Sequence, residues 1–125
     1  MAPFIFLGGI IKMKLDKYDF KFGLGFLREI NKGAEYNLHG IVVNAGLEKT
    51  LPNLMGRDIE TLVEVLKVAN KTEKPRISDA EIERIIEECD DVEALFEELI
   101  EELKTSNFTK VKTMNFFNPK AQTEE

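Results

Sequence analysis

The chain has 125 residues, 43% of them apolar and 32% charged, with a formal net charge of −6. That length suits one small domain with a modest core, and that charge argues against general binding to nucleic acid or to an anionic membrane. A single cysteine, Cys89, rules out an intramolecular disulfide and makes a reducing compartment such as cytoplasm the simplest setting. The acidity is local: Asp79 to Glu102 holds twelve acids and one base, Arg84, a net of −11, whereas the remainder holds sixteen bases and eleven acids, a net of +5. A chain divided in this way can stack head to tail or meet a basic partner; the plainer alternative is two solvated helix faces.

The first twelve residues, MAPFIFLGGIIK, contain a short apolar run with no positive residue ahead of it and no clear small-x-small cleavage site behind it. They make a poor signal peptide and are far too short to span a bilayer. Met13-Lys14-Leu15 reads as a second translation start that opens a well-patterned segment. Residues 1 to 12 are therefore expected to form an extension, disordered or packed on a neighbour.

MKLDKYDFKF, from Met13, reads as a hairpin, because Tyr18, Phe20 and Phe22 alternate with Asp19 and Lys21. Its turn is Asp16-Lys17, where Asn-Gly or Asp-Gly would serve better. A helix is expected from about Leu24 to Glu35, with Phe26, Leu27 and Ile30 on one face. Residues 37 to 56 are the least clear: Ile41, Val42 and Val43, then a short helix interrupted by Pro52.

Three better helices follow, over 58–70, 79–89 and 91–104. Asp58 is a good N-cap, and Ile59, Leu62, Val63, Leu66 and Ala69 line one face as far as about Asn70. KTEKPR breaks the pattern at Pro75. Ser78 and Glu81 are spaced as a capping box, with Ile77 and Ile82 placed as a staple. Ile82, Ile85, Ile86 and Cys89 form the next apolar stripe. Asp90 is expected to cap the last helix, where Val92, Leu95, Phe96, Leu99 and Leu103 recur at helical spacing. The fold class is thus mainly α (α+β): an N-terminal β-hairpin and about four to five helices in a single small domain, residues 13–104. After Lys104 no helical period is sustained. Residues 105–125 read as a flexible basic tail whose aromatics either meet a partner or fold back on the core.

Side chains fit for chemistry are few. His39 is the only histidine, so no Ser-His-Asp or Cys-His relay can be assembled without it, and a lone loop histidine is ordinarily structural. Cys89 lies on an apolar stripe as a small hydrophobe. Glu87-Glu88, Glu97-Glu98 and Glu101-Glu102 lack the Glu-x-x-His partners of a di-metal bundle and read as a solvated acidic face. Gly23-Leu24-Gly25 is followed by Arg28 where a dinucleotide fingerprint needs its third glycine, and no second parallel strand follows, so a phosphate cradle is excluded. These glycines are expected to let the chain turn sharply off the strand so that Phe26 and Leu27 reach the core. No catalytic, cofactor or metal residue is assigned.

A hairpin opening Met-Lys-Leu and running into KFGLGFLREINK resembles the tail assembly chaperones of long-tailed, non-contractile bacteriophages. The order of the later segments is also similar: LPNLMGRDIETLVEVLKVA, KTEKPRISDAEIERIIE, then DDVEALFEELIEELKTSNFTK. The likeness spans about residues 13 to 112 and is most specific over 20 to 32; the extra first twelve residues and the Asp16-Lys17 turn depart from it. The resemblance implies a protein that binds the tape measure protein and keeps it soluble before the tail tube polymerises. It also implies that tube subunits are recruited through a longer, frameshifted form, this chain resembling the short, frame-zero form. Self-association, a place in the host cytoplasm and absence from the mature virion complete the implied properties, with no enzyme activity, cofactor, nucleic acid or membrane.

Interface candidates come from exposed or repeated apolar residues. Phe26, Leu27, Phe96 and Leu99 stand for packing or assembly faces, with ordinary core the readier explanation for each, while Phe108, Met114, Phe116 and Phe117 are the candidates for contact with a neighbour or client. Two other functional classes stay open: a different morphogenesis role of the head-tail connector type, and an acidic DNA mimic built on the −11 region. The apolar stripe within those acidic helices argues against a purely charged decoy.

Overall fold

The computed structural model describes residues 12–118. The expectations for residues 1 to 11 and for the polar end from 119 onward lie outside the described residues.

Strands β1 (Lys12–Leu15) and β2 (Tyr18–Lys21) pair antiparallel, with Met13 opposite Phe20 and Leu15 opposite Tyr18. Asp16 opens the turn at φ 58°, a left-handed conformation that aspartate tolerates better than most residues. The period of two holds: Tyr18 and Phe20 are buried, and Asp19 and Lys21 are half-exposed.

Helix α1 (Leu24–Asn31) ends earlier than expected, because Ala34 leads into a second hairpin that the sequence did not signal. Its strands, β3 (Glu35–Leu38) and β4 (Ile41–Asn44), set Tyr36 opposite Val43 and Leu38 opposite Ile41. The two-residue turn is His39-Gly40, both at positive φ, and the Asn37 side chain accepts a hydrogen bond from the Gly40 N–H at 2.8 Å. Such a turn ordinarily uses Asn-Gly or Asp-Gly; histidine in the first place disguised it.

Helix α2 (Gly46–Met55) runs through Pro52 instead of breaking there. Pro52 removes only the N–H that would have reached the Glu48 carbonyl, in the penultimate turn, where burial of Leu47, Leu51 and Leu54 outweighs the lost bond. Helices α3 (Ile59–Asn70), α4 (Asp79–Glu87) and α5 (Val92–Thr105) lie where the apolar periods put them. Asp58 caps α3 through the Thr61 N–H. Asp91, not Asp90, caps α5 by accepting from the Ala94 N–H at 3.1 Å. The capping box of α4 is half made: Ser78 accepts from the Glu81 N–H, but the Glu81 carboxylate turns to Arg84. A sixth helix, α6 (Lys110–Phe117), forms where no helical period was legible, so the described residues carry six helices, slightly more than expected.

The core is one cluster. Met13, Tyr18, Phe20, Phe22 and Phe26 pack against the inner faces of α3, α4 and α5, supplied by Leu62, Leu66, Ala69, Ile82, Phe96, Leu99 and Leu103. Phe22 and Phe26 meet edge to face with centroids 5.0 Å apart. Asn70 ties the layers together from within: its amide donates to the Asp19 and Pro75 carbonyls, and its oxygen accepts from the Ile77 N–H at 2.7 Å.

Glycine usage has a reason other than turning. A Cβ on Gly25 would lie 2.5 Å from the Thr72 methyl, so Gly25 lets α1 approach the end of α3. Gly23 has φ −106°, open to any residue, and the sharp-turn explanation does not apply to it. At Gly46 a Cβ would run into the Ile30 carbonyl oxygen and the Asn31 side chain, whose oxygen accepts from the Gly46 N–H. Gly46→Ala is therefore expected to cost about 2 kcal/mol, because backbone cannot yield as a side chain does; urea unfolding with an unchanged midpoint would contradict this.

Candidate interaction surface

The stripe candidates separate from the tail candidates on burial. Phe26, Phe96 and Leu99 are buried in the core and offer no surface, and Leu27 is partly buried against it. Each therefore does what its apolar periodicity required of it in folding. Of the tail residues, Phe108 and Met114 are exposed by 46% and 45%, and Phe116 by slightly less. Phe117 folds back on the core cluster, 5.2 Å from Phe116 in an edge-to-face pair, with the Lys104 ammonium 4.6 Å from its ring centroid.

The segment after α5 is held by polar side chains placed inside. Ser106 donates to the Phe22 carbonyl, and the Thr109 hydroxyl donates to the Leu103 carbonyl at 2.7 Å. Thr113, on the inner face of α6, is fully buried. Ser106 and Thr109 fix the entry to α6 through these bonds, while Thr113, whose buried hydroxyl has no partner, and Phe117 supply its inner side. One small polar residue and one aromatic make no apolar period, so none betrayed the helix. Lys112 adds a tether, donating to the Asn44 carbonyl at 3.0 Å and lying 3.2 Å from the Glu48 carboxylate. The outer face of α6 and the loop before it are left with Phe108, Val111 and Met114 in solvent.

Beside this face an open groove of about 250 Å³ runs between the ends of α2, α5 and α6, lined by Met55, Arg57, Glu97, Ile100, Glu101, Lys104 and Phe117. Its lining mixes three apolar residues, Met55, Ile100 and Phe117, with four charged ones, a combination that can meet both faces of an amphipathic helix. Arg57 fixes one wall, sharing its guanidinium between Glu93 at 2.6 Å and Glu97 at 3.6 Å while standing 5.6 Å from the Phe96 ring centroid. The pairing holds the Glu93 carboxyl below its usual range.

The acidic region is less free than its charge suggests. Arg57 engages Glu93 and Glu97, Lys67 engages Asp79 at 2.7 Å, and Arg84 gathers Asp16, Glu81 and Glu88. Arg57 and Lys67 from outside the run and Arg84 within it thus pair with part of its acids, and a regular array of unpaired acids, which a nucleic-acid mimic needs, is interrupted. Glu102 departs further from the solvated-face expectation. It is 2% exposed, its Oε1 lacks a hydrogen-bond partner, and burial, then the charges of Glu98 and Glu101, push its carboxyl up to about 7. Its position could have been read: Glu102 follows Leu99 by three residues and Leu95 by seven, on the inward face of α5.

His39 sits at the tip of the second hairpin and Cys89 is half-buried beside the core. Among the described residues no three His, Cys, Asp or Glu side chains are grouped to hold a metal ion, and no helix is long and apolar enough to cross a membrane.

Comparison with curated proteins and with solved structures gave no match. Comparison with protein families matched residues 11–118, nearly the whole described chain, to the family described as phage tail assembly chaperone protein, TAC. The match covers both hairpins and all six helices, including the α6 segment that carries the exposed apolar face. The chain belongs to the phage tail assembly chaperone family.

Proposed function

We propose that this chaperone binds the tape measure protein through the outer face of α6 and the adjoining groove, and keeps that client soluble until the tail tube forms around it. The observation that carries the reading is the exposure of Val111 and Met114 on α6 and of Phe108 in the turn before it, on a segment held to the core through Ser106, Thr109 and Phe117. Apolar side chains kept in water near a groove of mixed apolar and charged lining suit a long amphipathic helical client. Lys110, exposed next to Val111, and Lys104, which lines the groove, let the surface accept acidic stretches of a client as well as apolar ones.

In this reading the chain is the short form, works in the host cytoplasm, associates with copies of itself and is absent from the mature virion. Tube subunits are brought in by a longer, frameshifted form that shares this domain. Binding and assembly, with no catalysed reaction and no cofactor, are its role.

The test is co-expression with the tape measure protein encoded beside it. The wild-type chain is expected to move the client from the pellet into a soluble complex. Truncation before Ser106 is a poor control, since it would strip Ser106, Thr109 and Thr113 from the interior. The double substitution Phe108→Ser with Met114→Ser changes only exposed positions. It is expected to leave thermal unfolding within about 1 kcal/mol of wild type while returning most of the client to the pellet. A fully soluble client with that variant would place the binding face elsewhere.

A further inference from the structure

The β3–β4 hairpin is a surface that the α6 reading does not use. Tyr36, Leu38 and Ile41 project from one face of it with exposures of 50%, 47% and 66%, and Val43, half-buried, completes that face; Val42 on the other side is 65% exposed. No third strand joins it among the described residues. A lone two-stranded ribbon is marginal in water, and open edges are normally blunted by lysine, proline or a bulge. Residues 35 to 44, EYNLHGIVVN, contain no Lys, Arg or Pro, and Glu35 is their only acid, in a chain that is 32% charged. This edge is unprotected, which is unusual for a strand that is to remain unpaired.

We propose that the outer edge of β3 pairs antiparallel with the same strand of a second copy, making a four-stranded sheet across a two-fold axis at Asn37. Three observations favour a second copy over a foreign strand. The strand is nearly uncharged, so its approach to itself meets no repulsion. The two-fold register is self-complementary, since it sets Tyr36 opposite Leu38 of the second copy and keeps all eight apolar side chains of the two hairpins on one face. The edge of β4 is partly taken, because Lys112 donates to the Asn44 carbonyl, which leaves β3 as the open side. The apolar area involved, on the order of a few hundred Å² per copy, is below that of a standard stable interface. The pairing is therefore weak and concentration-dependent, as a contact made repeatedly during assembly must be if it is to be undone. It does not depend on which surface holds the client.

Sedimentation equilibrium of the full chain across a wide concentration range tests it. A monomer–dimer equilibrium is expected, with Leu38→Lys weakening association about tenfold through its two symmetric contacts and leaving the circular dichroism spectrum unchanged. In a Cys89→Ala background, Asn37→Cys is expected to form a disulfide-linked dimer on mild oxidation, since directly opposed residues of antiparallel strands lie within disulfide reach. Glu60→Cys, exposed on α3, is the control and stays monomeric. A strictly monomeric chain at all concentrations overturns the proposal. So does a dimer indifferent to Leu38→Lys, or one that Asn37→Cys does not trap. If the hairpin instead pairs with a strand of another tail protein, Leu38→Lys abolishes that complex while the chain alone remains monomeric, and self-pairing is again overturned. The pairing deepens the self-association in the proposed function. Because the client assay uses Phe108 and Met114, a chain that dimerises by another face or stays monomeric leaves the client-binding face standing, and a client indifferent to those two residues leaves the pairing standing.

Discussion

Asn70→Ala is expected to lower the unfolding free energy by about 3 kcal/mol or more, the largest effect of any single polar substitution in this domain. The Asn70 side chain is fully buried and occupied on both sides, donating to the Asp19 and Pro75 carbonyls and accepting from the Ile77 N–H. Alanine removes the partner of the buried Ile77 N–H and of two part-buried carbonyls at once, and an orphaned buried group costs roughly 1–3 kcal/mol. For a domain with a total stability of about 5–15 kcal/mol, that is a large fraction. The three bonds also join distant parts of the chain: the first hairpin, the end of α3 and the linker into α4. Asn70→Asp separates hydrogen bonding from size. It retains an acceptor for Ile77 but turns a charged oxygen toward two carbonyl oxygens, so a loss at least as great is expected. Urea unfolding with an unchanged midpoint for Asn70→Asp would show that the amide donors do not matter.

Replacing Glu102 by glutamine is expected to stabilise the protein at pH 8 by about 2–3 kcal/mol and to flatten its stability profile. The folded-state pKa, near 7, lies above the ordinary glutamate value of 4.5. Between those values the folded chain holds a proton that the unfolded chain has released. The contribution of Glu102 is therefore fully present below about pH 4.5 and is lost as pH rises through 7. Glu29, Glu81 and Glu93 act with the opposite sign. Hydrogen bonds from Lys32 and Lys71, from Arg84, and from Arg57, respectively, lower their values, so their contribution is present above the usual carboxylate range and fades as pH falls below it. The two trends oppose each other: the exposed carboxylates lose their contribution toward acid, and Glu102 loses its own as pH rises through neutrality. Thermal melts of wild type and Glu102→Gln from pH 4 to pH 8 check this: the curves should converge at the acid end and separate through neutrality. Parallel curves would mean that Glu102 reaches solvent when charged.

Both residues lay inside segments whose helical character was legible, and neither was recognised for what it does. Asn70 marked only the end of a periodic stripe, and Glu102 was counted among the solvated acids of its helix. Polar residues on an inward face are difficult to read because their partners come from distant parts of the chain: Asp19 is 51 residues from Asn70. The Arg57 pairing with Glu93 was hidden for the same reason, spanning 36 residues. The second hairpin was missed on local grounds, since its turn is His39-Gly40 and its strands lack an alternating buried face. Helix α6 was missed because its inner side is Thr113 and Phe117, with no repeated leucine to mark a period.

The order of apolar residues by itself determined the first hairpin and the positions of α3, α4 and α5, and the stretch KFGLGFLREINK carried the likeness to the family. In those segments local periodicity and the demand for a buried face point the same way, so each can be read without knowing its neighbours. Which of the apolar residues stay in water was decided only by the tertiary structure. Phe96 and Phe108 are both phenylalanines near the acidic helices, yet one is sealed beneath α5 and the other stands free before α6. That difference arises from packing across the whole chain, where the core fills before every apolar side chain is used, and the surplus is left on the surface.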